Sequence, residues 1–184
     1  LEGAHQVGNA ALVLAACELL TTRAPKLKPD HIRAGLRANR WPGRLERVSE
    51  NPLVIFDGAH NLDAARQLSR YVAAHFKGLP ITLVIGILDD KPYRAMLKLL
   101  APLAIRVIAT QATINRALPA QRIAETVRPL AREVTVIADV AKALRHAVKT
   151  ASPDGLTLVA GSLYVVGEAK AAVARGFVRF KRLT

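Results

Sequence analysis

Short apolar runs that alternate with amphipathic segments constrain the fold of this chain more than any other feature of its sequence. Each run is continuous and mostly aliphatic, as is typical of strands that are buried on both faces. The five runs are Leu53–Phe56, Ile81–Ile87, Ala104–Ala109, Val134–Ala138 and Leu156–Ala160. Helices are expected near residues 61–76, 92–101, 119–129, 139–150 and 162–174. This alternation predicts right-handed βαβ units and a mostly parallel sheet with helices on both faces.

An additional strand is expected just before the first run. Arg44–Val48 can pair with Leu53–Asp57 through the turn-rich tetrapeptide at residues 49–52. The sequence therefore predicts an α/β, Rossmann-like sheet, mostly parallel, with one antiparallel edge strand.

Two helices are expected ahead of this sheet. Residues 8–22 are dense in Ala and Leu, which favour helix, and Pro29–Asn39 forms a basic amphipathic segment. The tripeptide at residues 41–43, Trp-Pro-Gly, ends that segment, because proline and glycine disfavour helix continuation. We predict a domain boundary here, between residues 1–43 and 44–184, and we expect the chain to be a piece of a longer protein.

Composition narrows the function classes. Hydrophobic residues make up 51% of the chain, which excludes a disordered protein, and the 4% of aromatic residues argues against a base-stacking platform. The net charge of +13 favours anionic partners, which include nucleic acids, nucleotides and polycarboxylates. The single cysteine, Cys17, cannot form an internal disulfide and is expected to be a small buried hydrophobe in a reducing compartment. The least charged stretch, residues 3–17, is too short to span a bilayer, so we expect a cytoplasmic protein without a membrane partner.

Polar residues follow two of the expected strands. Proteins with open α/β sheets bind their ligands at this place, the carboxyl ends of the strands. The first group is DGAHN at residues 57–61, in which Gly58 permits a sharp turn and Asp57 and His60 lie at the strand end. The second is Ser162, after the last run. Two interpretations of each group remain open: Asn61 and Ser162 are helix caps only, or the groups bind a ligand.

Several catalytic motifs are absent from the sequence. It contains no Walker-type phosphate loop, no G-x-G-x-x-G dinucleotide fingerprint, and no H-E-x-x-H, C-x-x-C or G-x-S-x-G. A charged loop at residues 89–91 is a third, weaker candidate site. The residues alone therefore suggest part of a nucleotide site without the groups that would drive a reaction.

Four motifs in order resemble one known family. They are HQVGNAA at residues 5–11, WPGRLE at 41–46, DGAHN at 57–61 and GSLYVVGEA at 161–169. Together they resemble the C-terminal part of folylpolyglutamate synthase/dihydrofolate synthase, in the Mur ligase superfamily. The resemblance covers essentially the whole chain and assigns residues 1–43 to the last helices of a central domain and the hinge, and 44–184 to the C-terminal domain.

The resemblance implies an ATP-dependent acid–amino-acid ligase that acts through an acyl phosphate. Its substrates would be L-glutamate and either dihydropteroate or reduced folates. By position, Asn9, Arg44 and Asp57 would contact ATP, His60 would serve catalysis or glutamate binding, and Ser162 would bind glutamate. The family's phosphate loop and Mg²⁺ ligands lie in a larger N-terminal domain, so no metal ligand is expected here and the chain alone should be inactive.

Three alternatives stay open beside this interpretation. A Mur-type ligase of cell-wall precursors would share the same domain. A basic nucleic-acid-binding module would explain the cluster of Arg and Lys between Arg23 and Arg47, although no reading motif is present and no specific nucleic-acid partner is expected. A noncatalytic Rossmann-like scaffold is the third.

Overall fold

The computed structural model describes residues 3, 5–21, 23 and 26–180, which form two compact units, Leu1–Pro42 and Gly43–Thr184. The first unit contains helices α1 (His5–Thr21) and α2 (Pro29–Ala38), which contact each other. Most apolar side chains of α1 are exposed, among them Leu12 and Leu19, at 72% and 77%. Cys17 is partly exposed, so the expectation of a buried cysteine was wrong, because α1 has too few neighbours to cover it. The assignment of residues 1–43 to a separate domain of a longer enzyme stays a prediction.

In residues 43–180, the described part of the second unit, the chain forms a six-stranded sheet with five α-helices. Its strands are β1 (Glu46–Glu50), β2 (Leu53–Phe56), β3 (Ile81–Ile85), β4 (Arg106–Ala109), β5 (Glu133–Val136) and β6 (Leu156–Ala160). Its helices are α3 (Leu62–His75), α4 (Tyr93–Leu100), α5 (Ala120–Val127), α6 (Val140–Thr150) and α7 (Leu163–Ala174), with a 3₁₀ turn at Ala101–Leu103. The spatial order is β1-β2-β6-β3-β4-β5, and only β1 is antiparallel to its neighbour. The predicted fold class is confirmed.

The helices cover both faces of the sheet because side chains alternate along each strand. On one face, Ile55 and Leu83 pack with the apolar stripes of α3, α4 and α5. On the other face, Val54 and Val84 pack with α6 and α7. Both faces of the central strands are therefore buried, as their continuous apolar runs predicted.

Two elements differ from the prediction. The edge strand is Glu46–Glu50 rather than 44–48, so the turn to β2 consists of Asn51 and Pro52 alone. Residues 44 and 45 form a loop instead, since Leu45 has a φ of +46°, which a strand does not accommodate. The run Val134–Ala138 was expected to be buried on both faces, but β5 is partly exposed because it lies at the sheet edge.

Within the described residues, no helix combines the length and the apolar character needed to cross a bilayer.

Candidate functional site at the carboxyl ends of β2 and β6

Asp57 organises the end of β2. Its backbone N–H donates to the carbonyl of Val159 on β6, at 2.9 Å. Its carboxylate accepts two further backbone hydrogen bonds: Oδ2 from the N–H of Leu45 and Oδ1 from the N–H of Ala59, each at 2.9 Å. Asp57 therefore ties the loop before β1 to the point where β2 ends.

A second contact between the loop before β1 and the end of β2 joins two glycines. The N–H of Gly58 donates to the carbonyl of Gly43 at 2.6 Å. A Cβ on Gly58 would lie 2.3 Å from Cδ2 of Leu163, the first residue of α7, so a side chain here would displace that neighbour. Leu45 holds its positive φ while 6% exposed, which is strain that the contacts of the buried side chain and of the backbone N–H offset.

Glu46 holds the loop at a third point. Its Oε2 accepts a hydrogen bond from the N–H of Gly43 at 2.7 Å, and its Oε1 pairs with Nζ of Lys170 on α7. We call residues Gly43–Glu46 the clamped loop. Sequence reasoning did not find Glu46 or Lys170 as site residues, since 124 positions separate them and no local spacing links them.

Arg44 lies in the middle of the clamped loop. The residues on either side of it are hydrogen-bonded to Asp57 and Gly58, but its own side chain is exposed. Among the described residues, no hydrogen bond or ion pair engages its guanidinium. An exposed guanidinium on a fixed backbone is suited to bind an anion, since it is always charged and presents a fork of donors.

His60 and Asn61 follow the turn. Nδ1 of the half-buried His60 lies 2.9 Å from the carbonyl oxygen of Gly58; because that oxygen can only accept, Nδ1 is the donor and the neutral ring presents Nε2 as an acceptor. Asn61 is the N-cap of α3, with Oδ1 accepting from the N–H of Ala64 at 2.8 Å.

Ser162 occupies the corresponding position after β6. It is 1% exposed and is the N-cap of α7, where Oγ accepts from the N–H of Tyr164 at 3.1 Å. The preceding residue, Gly161, has a φ of +103°.

The structure therefore brings most of the predicted site residues to one edge of the sheet. Phe56 and Val159 are paired in register, so the segments that carry Asp57, His60 and Ser162 leave the sheet side by side. The clamped loop brings Arg44 to the same edge. Asn9 belongs to the first unit, on α1.

The third candidate, the loop after β3, is an ion-pair cluster. Nζ of Lys91 lies 2.7 Å from Oδ2 of Asp90, and Nη1 of Arg116 lies 3.6 Å from the same oxygen. The hydrogen bond from Lys91 lowers the pKa of Asp90 below its usual 3.8. These contacts fix the loop, and we assign it no binding role.

Across the described part of the chain, no group of three or more His, Cys, Asp or Glu side chains could hold a metal ion.

The residues at this sheet edge lie in a segment that matches a known protein family. Residues 43–163 match the family described as "Mur ligase, glutamate ligase domain". The chain belongs to this Mur ligase family. The match begins at the clamped loop and includes Asp57, His60 and Ser162.

Individual relatives agree with the folate branch. The chain is 36% identical over 179 residues to a probable bifunctional folylpolyglutamate synthase/dihydropteroate synthase of Haloferax volcanii, covering 97% of this chain and 21% of the relative. The structure of Escherichia coli FolC in complex with DHPP and ADP is similar with a TM-score of 0.79 at 30% identity, over 92% of this chain and 39% of FolC. A Yersinia pestis bifunctional folylpolyglutamate synthase/dihydrofolate synthase complexed with AMPPNP and Mn ion has a TM-score of 0.72 at 32% identity, over 80% and 35%.

These findings confirm the resemblance inferred from the motifs. The chain spans about a fifth of the Haloferax protein and about two fifths of FolC.

Proposed function

We propose that this chain is the C-terminal part of an ATP-dependent ligase that joins L-glutamate to dihydropteroate or to a reduced folate. The observation that carries the proposal is the exposed guanidinium of Arg44, unengaged among the described residues, on a loop that the hydrogen bond from Leu45 to Asp57 holds within the segment that matches the Mur ligase family. The folate branch is supported by the relatives and by the nucleotide-bound structures that the chain resembles.

Arg44 and Asp57 are proposed to contact ATP at this edge of the sheet. A guanidinium binds phosphate through charge-assisted hydrogen bonds. A carboxylate has about four acceptor positions, so Asp57 can accept from a ribose hydroxyl or from water on a cation while two backbone N–H groups orient it. Asn9 is proposed as a third ATP contact on the family resemblance alone.

His60 and Ser162 are proposed for the amino-acid side of the reaction. Nε2 of His60, directed by the Nδ1 contact with Gly58, can accept a proton or a hydrogen bond from the glutamate ammonium group. Oγ of Ser162 already accepts from the N–H of Tyr164, so its O–H remains as a donor, and we propose on the family resemblance that it binds a glutamate carboxylate. His60 is thus the proposed catalytic residue, and Ser162 a binding residue.

The proposed reaction has two steps. The carboxylate of the pteroate or folate attacks the γ-phosphate of ATP, which forms an acyl phosphate and releases ADP. The glutamate amine then attacks the acyl carbon, which forms the amide and releases phosphate. Arg44 stabilises the negative charge on the transferred phosphoryl group, which is the main demand of such a transfer.

ATP and Mg²⁺ are the proposed cofactors. Relatives bound to ADP, AMPPNP and Mn ion support a nucleotide with a divalent cation. Since the described residues hold no cluster of metal ligands, the cation's protein ligands are proposed to come from the enzyme's own N-terminal domain.

The decisive experiment measures ADP release by the intact ligase, dependent on glutamate and on dihydropteroate or tetrahydrofolate. In the Arg44→Ala variant we expect kcat/KM for ATP to fall about 10- to 100-fold, the scale of one or two hydrogen bonds to a charged group, with an unchanged melting temperature. Arg70→Ala, an exposed arginine on α3, is the matched control.

Asp57→Asn is preferred to Asp57→Ala as the second variant. Alanine would remove the acceptor of both the Leu45 and the Ala59 N–H groups and so loosen the clamped loop, whereas asparagine keeps one side-chain oxygen.

ATP-dependent turnover with a cell-wall precursor and not with folates would establish the alternative Mur-type ligase. DNA binding with a sequence preference that survives moderate salt would instead favour the nucleic-acid module.

A further inference from the structure

The clamped loop is fixed by contacts that the proposed chemistry does not use. Gly43, Leu45 and Glu46 each have a polar contact to another segment or to one another, whereas the Arg44 side chain has none among the described residues. Among the residues that the structure describes, the Glu46–Lys170 pair alone links this loop to α7 through charged side chains. The pair has side-chain exposures of 28% for Glu46 and 36% for Lys170, so it is less screened than a fully exposed ion pair.

We propose that Glu46 and Lys170 are positioning residues for the nucleotide site, acting through Arg44. Glu46 holds the backbone, because its Oε2 accepts the N–H of Gly43. Nζ of Lys170 pairs with the other oxygen of the same carboxylate, Oε1. The inference rests on the proposed function, since it assigns these residues to the ATP site of that ligase.

The role of Lys170 follows from the position of Glu46 in the chain. Glu46 is the acidic residue nearest to Arg44 in the chain, two positions away, and without its lysine partner this carboxylate would compete with phosphate for the guanidinium. With Lys170 paired to Glu46, the carboxylate is neutralised and Arg44 remains available for an anion. Lys170 therefore protects the charge that binds phosphate without touching the nucleotide.

This arrangement predicts a specific pattern among variants of the intact ligase. Lys170→Met removes the charge and keeps most of the aliphatic chain, and we expect KM for ATP to rise roughly five- to tenfold, the scale of one charge-assisted hydrogen bond. KM for glutamate should change less than about twofold, because the pair acts through Arg44. Lys170→Arg keeps the charge and should restore KM for ATP to within about twofold of the wild type.

The decisive variant is the double substitution Lys170→Met with Glu46→Gln. Glutamine retains an oxygen for the N–H of Gly43 but has no charge with which to capture Arg44. The double variant should therefore have a lower KM for ATP than Lys170→Met alone. A pair that only stabilised the fold would give a double variant no better than the single one.

The control variants distinguish a failure of the positioning role from a failure of the proposed function. Lys98→Met on α4 and Glu50→Gln on β1 are matched controls, both at exposed positions, and melting temperatures report folding of every variant. If the wild type is active and Lys170→Met has the same KM for ATP as Lys98→Met, the positioning role is wrong while the proposed function stands. The same holds if the double variant is as impaired as Lys170→Met. If the wild type releases no ADP with folate and glutamate, the proposed function fails and this inference fails with it.

Discussion

Gly161 shows how closely β6 and the end of β3 approach at the site. Its φ of +103° is a conformation that side chains disfavour, and a Cβ there would lie 2.6 Å from the carbonyl oxygen of Gly86. The neighbouring Cγ1 atoms of Ile85 and Ile87 would each be 3.0 Å away. Only glycine lets the chain turn here from β6 into Ser162 and the start of α7.

Two glycine substitutions six positions apart should therefore have opposite effects on stability. Gly161→Ala combines backbone strain with overpacking and should lower the free energy of unfolding by about 2–4 kcal/mol. Gly167→Ala, within α7 with no atom within 4 Å of the new methyl group, should raise it by about 0.5–1 kcal/mol. Urea unfolding of the chain followed by circular dichroism measures both. Equal changes in the two variants would contradict the close approach at Gly161.

Sequence patterns indicated local candidates for the site and missed the long-range contacts around them. Asp57, His60 and Ser162 could be singled out because each lies shortly after an apolar run, and strand ends carry ligands. Lys170 carried no such signal, since its partner lies 124 positions away in the chain. The loop conformation at Leu45 was also missed, because its N–H donates to the carboxylate of Asp57, twelve residues later.

At the scale of elements, β5 illustrates what a run of apolar residues cannot reveal. Its run resembles those of the central strands, yet it lies at the edge of the sheet. Arg106 on β4 contacts both β5 and α6. Its Nε lies 2.9 Å from Oε1 of Glu133 on β5, and its Nη1 donates to the carbonyl of Thr150 at the end of α6, at 2.9 Å. One arginine thus connects two strands and a helix, which the order of elements along the sequence does not predict.

The Arg106–Glu133 contact should make a small, pH-dependent contribution to stability. Hydrogen bonding to Arg106 lowers the pKa of Glu133 below its usual 4.5, so the stabilisation is present above that value and is lost as pH falls through the lowered pKa. Glu133→Gln should therefore reduce the free energy of unfolding at pH 7 by less than about 1 kcal/mol, as for exposed pairs. The difference from wild type should shrink at pH 4 and below.

Chemical unfolding at several pH values tests this, with Glu125→Gln on α5 as the comparison. A deficit in Glu133→Gln that persists unchanged into acid would show that lost packing, rather than charge, is responsible.

At the scale of the whole molecule, we propose that the chain carries one side of a site. The proposed nucleotide contacts are concentrated at one sheet edge, while the described residues supply no metal cluster and the sequence contains no phosphate loop. The net charge of +13 favours anionic ligands such as the proposed ATP.

We therefore expect this chain alone to release no ADP above background in the presence of ATP, Mg²⁺, folate and glutamate. Without a phosphate loop and metal, the transferred phosphoryl group lacks most of its electrostatic stabilisation. The assay uses the purified 184-residue chain, and the intact ligase is the positive control. Sustained turnover by the chain, free of contaminating ligase, would overturn this expectation.

The strand order also has a consequence for synthesis on the ribosome. β6, residues 156–160, lies between β2 and β3 and pairs with both, although it is the last strand to be made. A nascent chain that ends before it can form the β1–β2 hairpin and the β3–β4–β5 ladder, but each of these has an open edge where β6 belongs. Such edges pair readily with other chains, so a product truncated before residue 156 should aggregate, and the sheet should be completed only after β6 has been synthesised.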